Sequence, residues 1–270
     1  MISFPNCKIN IGLYITNKRE DGFHDLETIF YPVNIYDALE IIPAKKTSLQ
    51  ITGKEITGDS RNNLVWRAFG ILKDRFPGKI NDLAIYLNKA IPMGAGLGGG
   101  SSDGAFMIRM LNDYYKLGMN KTELAGLALQ LGSDCPFFIE NTAQFAIGRG
   151  EHMTPVDIDL SGYSVQIIYP GIHISTAEAF KKIRPQKAPY DLRMLPQLPI
   201  QLWKEYVSND FELPAIEKHP VVKEIIDQMY RQDAIYASMT GSGSAIYGIF
   251  NKRKKAEIAV NIPIESFYAE

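Results

Sequence analysis

Five glycines fall within seven positions of the run Pro92-Met93-Gly94-Ala95-Gly96-Leu97-Gly98-Gly99-Gly100-Ser101-Ser102-Asp103. Glycine lets backbone amides turn inward and lets a ligand approach without a Cβ in the way. The run follows an apolar, β-branched segment, Leu83–Leu87, and precedes a helical pattern, Ser101–Tyr115. Free N–H groups at a helix start, and the positive end of its dipole, suit phosphate. Ser101 and Ser102 are capping candidates. Ser102 also offers a hydroxyl to a metal ion. Asp103 falls in the first turn, where a carboxylate meets the dipole favourably.

Three familiar phosphate loops fit this run poorly. Gly94, Gly96 and Gly99 match the dinucleotide spacing, but a second helix, near Thr122–Leu131, follows where that fold needs a strand. The Walker pattern needs Gly-Lys before Ser or Thr, and the loop has no lysine. The protein-kinase set of downstream motifs is missing.

Other elements must position this loop. Cys7–Ile15 alternates, with Cys7, Ile9, Ile11, Leu13 and Ile15 on one face and Lys8, Asn10, Gly12 and Tyr14 on the other, so a half-buried strand is expected. Lys8 and Asn10 then stand side by side. Strands are expected at Thr28–Ile35, Leu39–Pro43, Leu49–Thr52, Thr142–Ile147, Ser164–Tyr169, Ile235–Met239, Ala245–Phe250 and near Phe267. Helices are expected at Asn63–Phe76, Ser175–Lys182, Pro220–Arg231 and Lys254–Val260, and irregular chain at Pro185–Pro199. Strands and helices mix without strict alternation, which predicts an α+β fold. A composition boundary near residue 150 divides 1–150, with the loop, from 151–270.

Bulk properties narrow the function. A net charge of −1 gives no basic field for a nucleic-acid backbone. The four histidines are scattered without metal-ligand spacing, and two cysteines make no disulfide framework. With no signal peptide or membrane-length apolar run, a cytoplasmic protein with no evident obligate protein partner is expected.

The pattern P-x-G-x-G-L-G-x-x-S-S resembles the second motif of the GHMP kinases. Pro5-Asn6-Cys7-Lys8-Ile9-Asn10 resembles their first, with Cys7 where a smaller residue is usual. Met239-Thr240-Gly241-Ser242-Gly243-Ser244-Ala245 resembles their third. Further landmarks are similar to the branch whose acceptor is a cytidine-diphosphate-linked sugar alcohol: Arg19-Glu20-Asp21-Gly22-Phe23-His24, Gly132-Ser133-Asp134-Cys135-Pro136-Phe137-Phe138 and Asn209-Asp210-Phe211-Glu212. Asn62-Asn63-Leu64 departs from that branch, where an aspartate often precedes Asn-Leu.

The resemblance implies a two-lobed GHMP fold, a ribosomal protein S5 domain 2-like N-terminal domain plus a ferredoxin-like C-terminal domain, with the active site in the cleft. It implies ATP as phosphoryl donor, bound by Pro92 to Ser102, with Mg²⁺, and an acceptor hydroxyl in isoprenoid precursor synthesis by the non-mevalonate route. Asp134 would take or orient the acceptor proton. Lys8 would keep Asp134 ionised and stabilise charge near the γ-phosphate. Asn10, Phe23, His24 and Thr176 would contact the acceptor, Phe23 and His24 at its cytosine. Thr240, Gly241, Ser242 and Gly243 form the third glycine turn. A mevalonate- or homoserine-type kinase and a non-catalytic nucleotide-binding module are the competing expectations.

Overall fold

The computed structural model describes residues 1–55 and 62–270. Its strands are β1 (Ile2–Ser3), β2 (Asn6–Lys18), β3 (His24–Tyr36), β4 (Ala38–Pro43), β5 (Ser48–Gly53), β6 (Leu83–Lys89), β7 (Gln144–Gly148), β8 (His152–Pro155), β9 (Tyr163–Tyr169), β10 (Tyr236–Met239), β11 (Ile246–Asn251) and β12 (Glu265–Ala269). Its helices are α1 (Leu64–Arg75), α2 (Gly99–Tyr114), α3 (Lys121–Leu129), α4 (Phe137–Glu140), α5 (Thr176–Lys182), α6 (Trp203–Tyr206), α7 (Glu212–Lys218) and α8 (Val221–Arg231). By packing, two compact units interleave along the chain. One holds Met1–Cys7, Tyr36–Met93 and Gly98–Thr142; the other holds Lys8–Ile35, Gly94–Leu97 and Ala143–Glu270.

In the first unit the sheet order is β1-β4-β6-β5, antiparallel except where β5 runs parallel to β6. Leu39, Ile41, Leu83, Ile85 and Leu87 alternate onto one fully buried face, as period two requires. Burying each such side chain contributes roughly 1.5–3 kcal/mol. Helix α1 starts at Asn63, whose Oδ1 accepts from Val65 N at 2.9 Å. Its Val65, Ala68, Phe69 and Leu72 form the buried stripe of an amphipathic helix, and it packs against α2. Asn120 and Glu123 form a capping box on α3.

The second unit contains the sheet β10-β11-β9-β12 and, apart from Asn6, Cys7 and Tyr36, the sheet β2-β3-β7-β8. Val222, Ile225, Ile226 and Met229 of α8 join Leu13, Ile15, Phe211, Met239, Ile246 and Phe250 in one apolar cluster. Mostly antiparallel sheets with helices between them make this an α+β protein, as the sequence predicts.

Several local expectations change. β2 is buried on both faces from Asn6 to Tyr14, because its polar face is covered by hydrogen-bonding turns rather than water. Ser101 and Ser102 lie inside α2, not at its cap. The N-cap is Gly98 at φ 69°, with no side-chain cap among the described residues. Lys254–Val260 is irregular instead of helical, because glutamine side chains take its backbone groups. Gln166 pairs with both the N–H and C=O of Ala256, Gln232 likewise with Glu257, and Gln228 likewise with Ala259. A helix would need those groups for itself. The proline-rich segment includes a 3₁₀ turn, Leu192–Gln197. Helices α4, α6 and α7 and strands β1 and β8 are additional to the expected elements.

Candidate active site

Lys8 is 3% exposed, and its ammonium donates to Asn10 Oδ1 at 2.6 Å and lies 5.0 Å from the Phe30 ring centroid. The strand pleat puts these two polar side chains side by side, as expected. Both polar atoms of Asn10 are engaged within the protein. Oδ1 takes the lysine proton, and Nδ2 donates to Thr28 Oγ1 at 2.9 Å, which in turn donates to Gly12 O.

This strand meets the two glycine motifs directly. Asn10 N donates to Thr240 Oγ1 at 3.0 Å, and that hydroxyl lies 3.3 Å from both Asn10 Oδ1 and Gly96 O. Lys8 N donates to Leu97 O at 2.9 Å, and Ala245 N donates to Ala95 O at 3.1 Å. Gly96 has φ +80°, and a Cβ there would sit 2.1 Å from Thr240 O. The approach of Gly96 to the Thr240–Gly241 turn is therefore open to glycine alone. Residues of all three sequence motifs converge in the second unit: Lys8 and Asn10, Gly94 to Leu97, and Thr240 to Gly243.

Asn209 props the third motif from behind. Its Nδ2 donates to Met239 O at 2.8 Å and Gly241 O at 2.9 Å. Next in sequence, Asp210 Oδ2 accepts from Ile15 N at 2.7 Å, and Glu212 Oε2 accepts from Met239 N and Ser238 Oγ, both at 2.8 Å. Burial pushes both carboxyls above their ordinary range. Asn209→Ala would strand two carbonyls beside a residue only 5% exposed. It is expected to cost roughly 2–4 kcal/mol in urea unfolding; a loss under about 0.5 kcal/mol would show that the turn holds itself.

The Arg19–His24 segment is ordered by its own charges. Arg19 pairs with Asp21 and Asp25 at 3.1 Å, and Phe23 N donates to Asp21 Oδ1 at 3.1 Å. Phe23 is 55% exposed, with the Arg149 guanidinium 5.1 Å from its ring centroid. His24 opens β3 and stacks on Phe180 of α5, centroids 4.9 Å apart and planes 23° apart. Phe180 was not visible as a site residue in the sequence; its only signal was an aromatic in a helix beginning at a singled-out threonine. Thr176 is the first residue of α5, 3.1 Å from Ser242 Oγ, and the N-cap is its neighbour Ser175.

In the first unit, Asp134 is half-buried in the turn before α4. Burial pushes the Cys135 thiol up to about 12, which keeps it protonated and chemically inert at neutral pH. Both cysteines are buried thiols. Ser102 Oγ is buried without a hydrogen-bond partner among the described residues. Asp103 does not lie in the first turn of α2 as expected, because the helix starts at Gly99 rather than Ser101; it is buried against Lys89. No group of three His, Cys, Asp or Glu side chains is arranged for a metal among the described residues, and no helix there is long and apolar enough to cross a membrane.

The family profile described as GHMP kinases N terminal domain matches residues 63–141, and that of the GHMP kinases C terminal matches 194–269. A 4-diphosphocytidyl-2-C-methyl-D-erythritol kinase of Bacteroides thetaiotaomicron is 48% identical over 93% of this chain and 92% of its own. One from Parabacteroides distasonis is 45% identical over the same shares. A crystal structure of 4-(cytidine 5'-diphospho)-2C-methyl-D-erythritol kinase superposes with TM-score 0.75 at 30% identity, covering 92% of this chain and 90% of that one. Mevalonate kinase of Methanococcus jannaschii shares the fold, with TM-score 0.72 at 15% identity over 100% of this chain and 98% of its own. This chain belongs to the GHMP kinases and, within them, to the 4-diphosphocytidyl-2-C-methyl-D-erythritol kinase family.

Proposed function

We propose that the protein transfers the γ-phosphate of MgATP to the 2-hydroxyl of 4-diphosphocytidyl-2-C-methyl-D-erythritol, releasing ADP, as a cytoplasmic step of isoprenoid precursor synthesis by the non-mevalonate route. The observation that carries this reading is the convergence of Lys8, Gly96 and Thr240 in one hydrogen-bonded group. The near full-length identity with kinases named for this acceptor supports the choice of substrate.

In the reaction the bond from the γ-phosphorus to the bridging oxygen of ADP breaks. A bond from that phosphorus to the acceptor oxygen forms, and the acceptor hydroxyl loses its proton. A loose transition state needs little basicity, because the proton leaves late. Asp134 is assigned to orient the hydroxyl and receive that proton. Lys8, fixed by Asn10, is assigned to the charge on the moving phosphoryl group. Asn10 fixes Lys8 and Thr240 through its Oδ1, and the second N–H of its Nδ2 is assigned to an acceptor oxygen.

The backbone of Pro92 to Gly100 is assigned to the nucleotide phosphates. Magnesium arrives on those phosphates and neutralises part of their charge. The Ser102 hydroxyl, buried without a partner among the described residues, suits a phosphate oxygen or that ion. Buried cysteine thiols accord with a reducing compartment.

His24 and Phe180 form the aromatic surface for the cytosine, with Phe23 beside Arg149 as a more exposed neighbour and Thr176 with Ser242 near the acceptor. Phe180→Ala is expected to raise the acceptor KM about tenfold, the loss of one stacking partner, with the MgATP KM moving less than about twofold. Equal effects on both substrates would move Phe180 out of the acceptor site.

The reading is tested by acceptor-dependent ADP release with the cytidylyl substrate, mevalonate and homoserine. A kcat/KM at least about 10⁴-fold higher for the cytidylyl substrate is expected. Preference for either other acceptor would overturn the substrate while leaving a kinase, and nucleotide binding without turnover would leave a binding module.

A further inference from the structure

Three ionisable side chains are buried where the glycine-rich run begins and ends. Lys89 closes β6, three residues before Pro92 opens the run, and its side chain is 0% exposed. Its ammonium donates to Asp37 Oδ2 and, at 2.6 Å, to Asp103 Oδ2. Asp37 uses its other oxygen on the backbone entering the run, accepting from Ala90 N at 2.6 Å and Ile91 N at 2.9 Å. Asp103 is the fifth residue of α2, just past its first turn, where the run ends. The entering and leaving segments touch at Gly99, where a Cβ would lie 2.9 Å from Ile91 Cγ2 and 3.3 Å from Lys89 Nζ.

Burying three ionisable groups is an expensive way to hold a fold, and burial pushes the Asp103 carboxyl up to about 8. Apolar replacements of buried ion pairs are often as stable or more so, whereas directional charged hydrogen bonds fix geometry. Two details point to geometry as the purpose here. Asp37 bonds both consecutive amides that lead into Pro92, and Lys89 ties that segment to the helix turn bearing Ser102. Both ends of the run are thereby held by one ammonium.

We propose that Asp37, Lys89 and Asp103 are positioning residues for phosphoryl transfer: together they set the separation and pitch of the two ends of the Pro92–Ser102 loop, without touching substrate themselves. This rests on the loop being the nucleotide-phosphate site. The triad then acts on MgATP binding and alignment and leaves the acceptor affinity alone. Misplacement of a bound group by about 1 Å costs on the order of 100-fold in rate.

The test compares wild type with Asp103→Asn, which keeps the side-chain size, and with a Lys89→Met, Asp103→Leu double variant, which swaps the charged pair for an apolar one and leaves Asp37 on its two amides. For each, thermal unfolding, MgADP affinity by calorimetry, kcat, and the KM values for MgATP and acceptor are measured. The double variant leaves Asp37 without its ammonium, so it is expected to unfold cooperatively but at a lower temperature than wild type, and to lose at least about tenfold in kcat/KM for MgATP, with acceptor KM within about twofold. Asp103→Asn is expected to shift the same parameters by a smaller factor, and it carries the test if the double variant does not fold. Wild-type nucleotide affinity and kcat in a folded variant, whatever its unfolding temperature, would reduce the triad to a structural role. A wild type that binds no MgADP would overturn the loop assignment, and the proposal with it.

Discussion

Asp134→Asn is expected to lower kcat by about 10³-fold while the KM for MgATP stays within about twofold, because the amide keeps the shape and loses the proton acceptor. The turn bearing it should survive the change. It is held by neighbours, through Cys135 N to Gly132 O and Phe138 N to Cys135 O, both 3.2 Å. Steady-state kinetics with both substrates varied make the distinction. A kcat within about threefold of wild type would remove Asp134 from the proton transfer and leave it at most an orienting group. Equal rises in both KM values with kcat intact would instead mean that it contributes only to binding.

The second large effect is expected at Gly96. Alanine there must hold φ near +80°, which costs roughly 1–2 kcal/mol for an L residue. Its Cβ would also lie 2.1 Å from the backbone oxygen of Thr240, so the two glycine motifs must separate. Gly96→Ala is therefore expected to lose at least about 3 kcal/mol, a drop near 10 °C in unfolding temperature, together with most activity. Gly22→Ala is the matched control. It has φ +84° but open space around the new methyl, so it carries the strain without the collision. If the two variants unfold alike, the contact between Gly96 and Thr240 is soft and the motifs are not locked together.

Periodicity and motif chemistry carried much of this structure. Alternation in Cys7–Ile15 placed Lys8 beside Asn10, and the stripe in Leu64–Arg75 located α1 to within a residue. Motif order pointed to the loop and to the Thr240–Gly243 turn. What stayed hidden depends on partners distant in sequence. Alternation alone could not show that the Lys8 face would be covered by Thr240, 232 positions on, so β2 read as half-buried. Lys254–Val260 has helical spacing, but its backbone groups are claimed by Gln166, Gln228 and Gln232. Serines at a helix start read as caps, yet a left-handed Gly98 began α2 and left Ser102 inside. Phe180 was silent because an aromatic in a short helix looks like any packing residue until His24 is seen stacked on it. Asp37 and Lys89 gave no local signal, since a buried ion triad is defined only by the fold that closes around it.

The central claim is tested most directly by phosphorus NMR of the reaction with MgATP and 4-diphosphocytidyl-2-C-methyl-D-erythritol. The account expects one new phosphomonoester signal, coupled to the carbon bearing the 2-hydroxyl and growing in step with ADP. ADP appearing with inorganic phosphate alone, or a phosphoester at another hydroxyl, would contradict it.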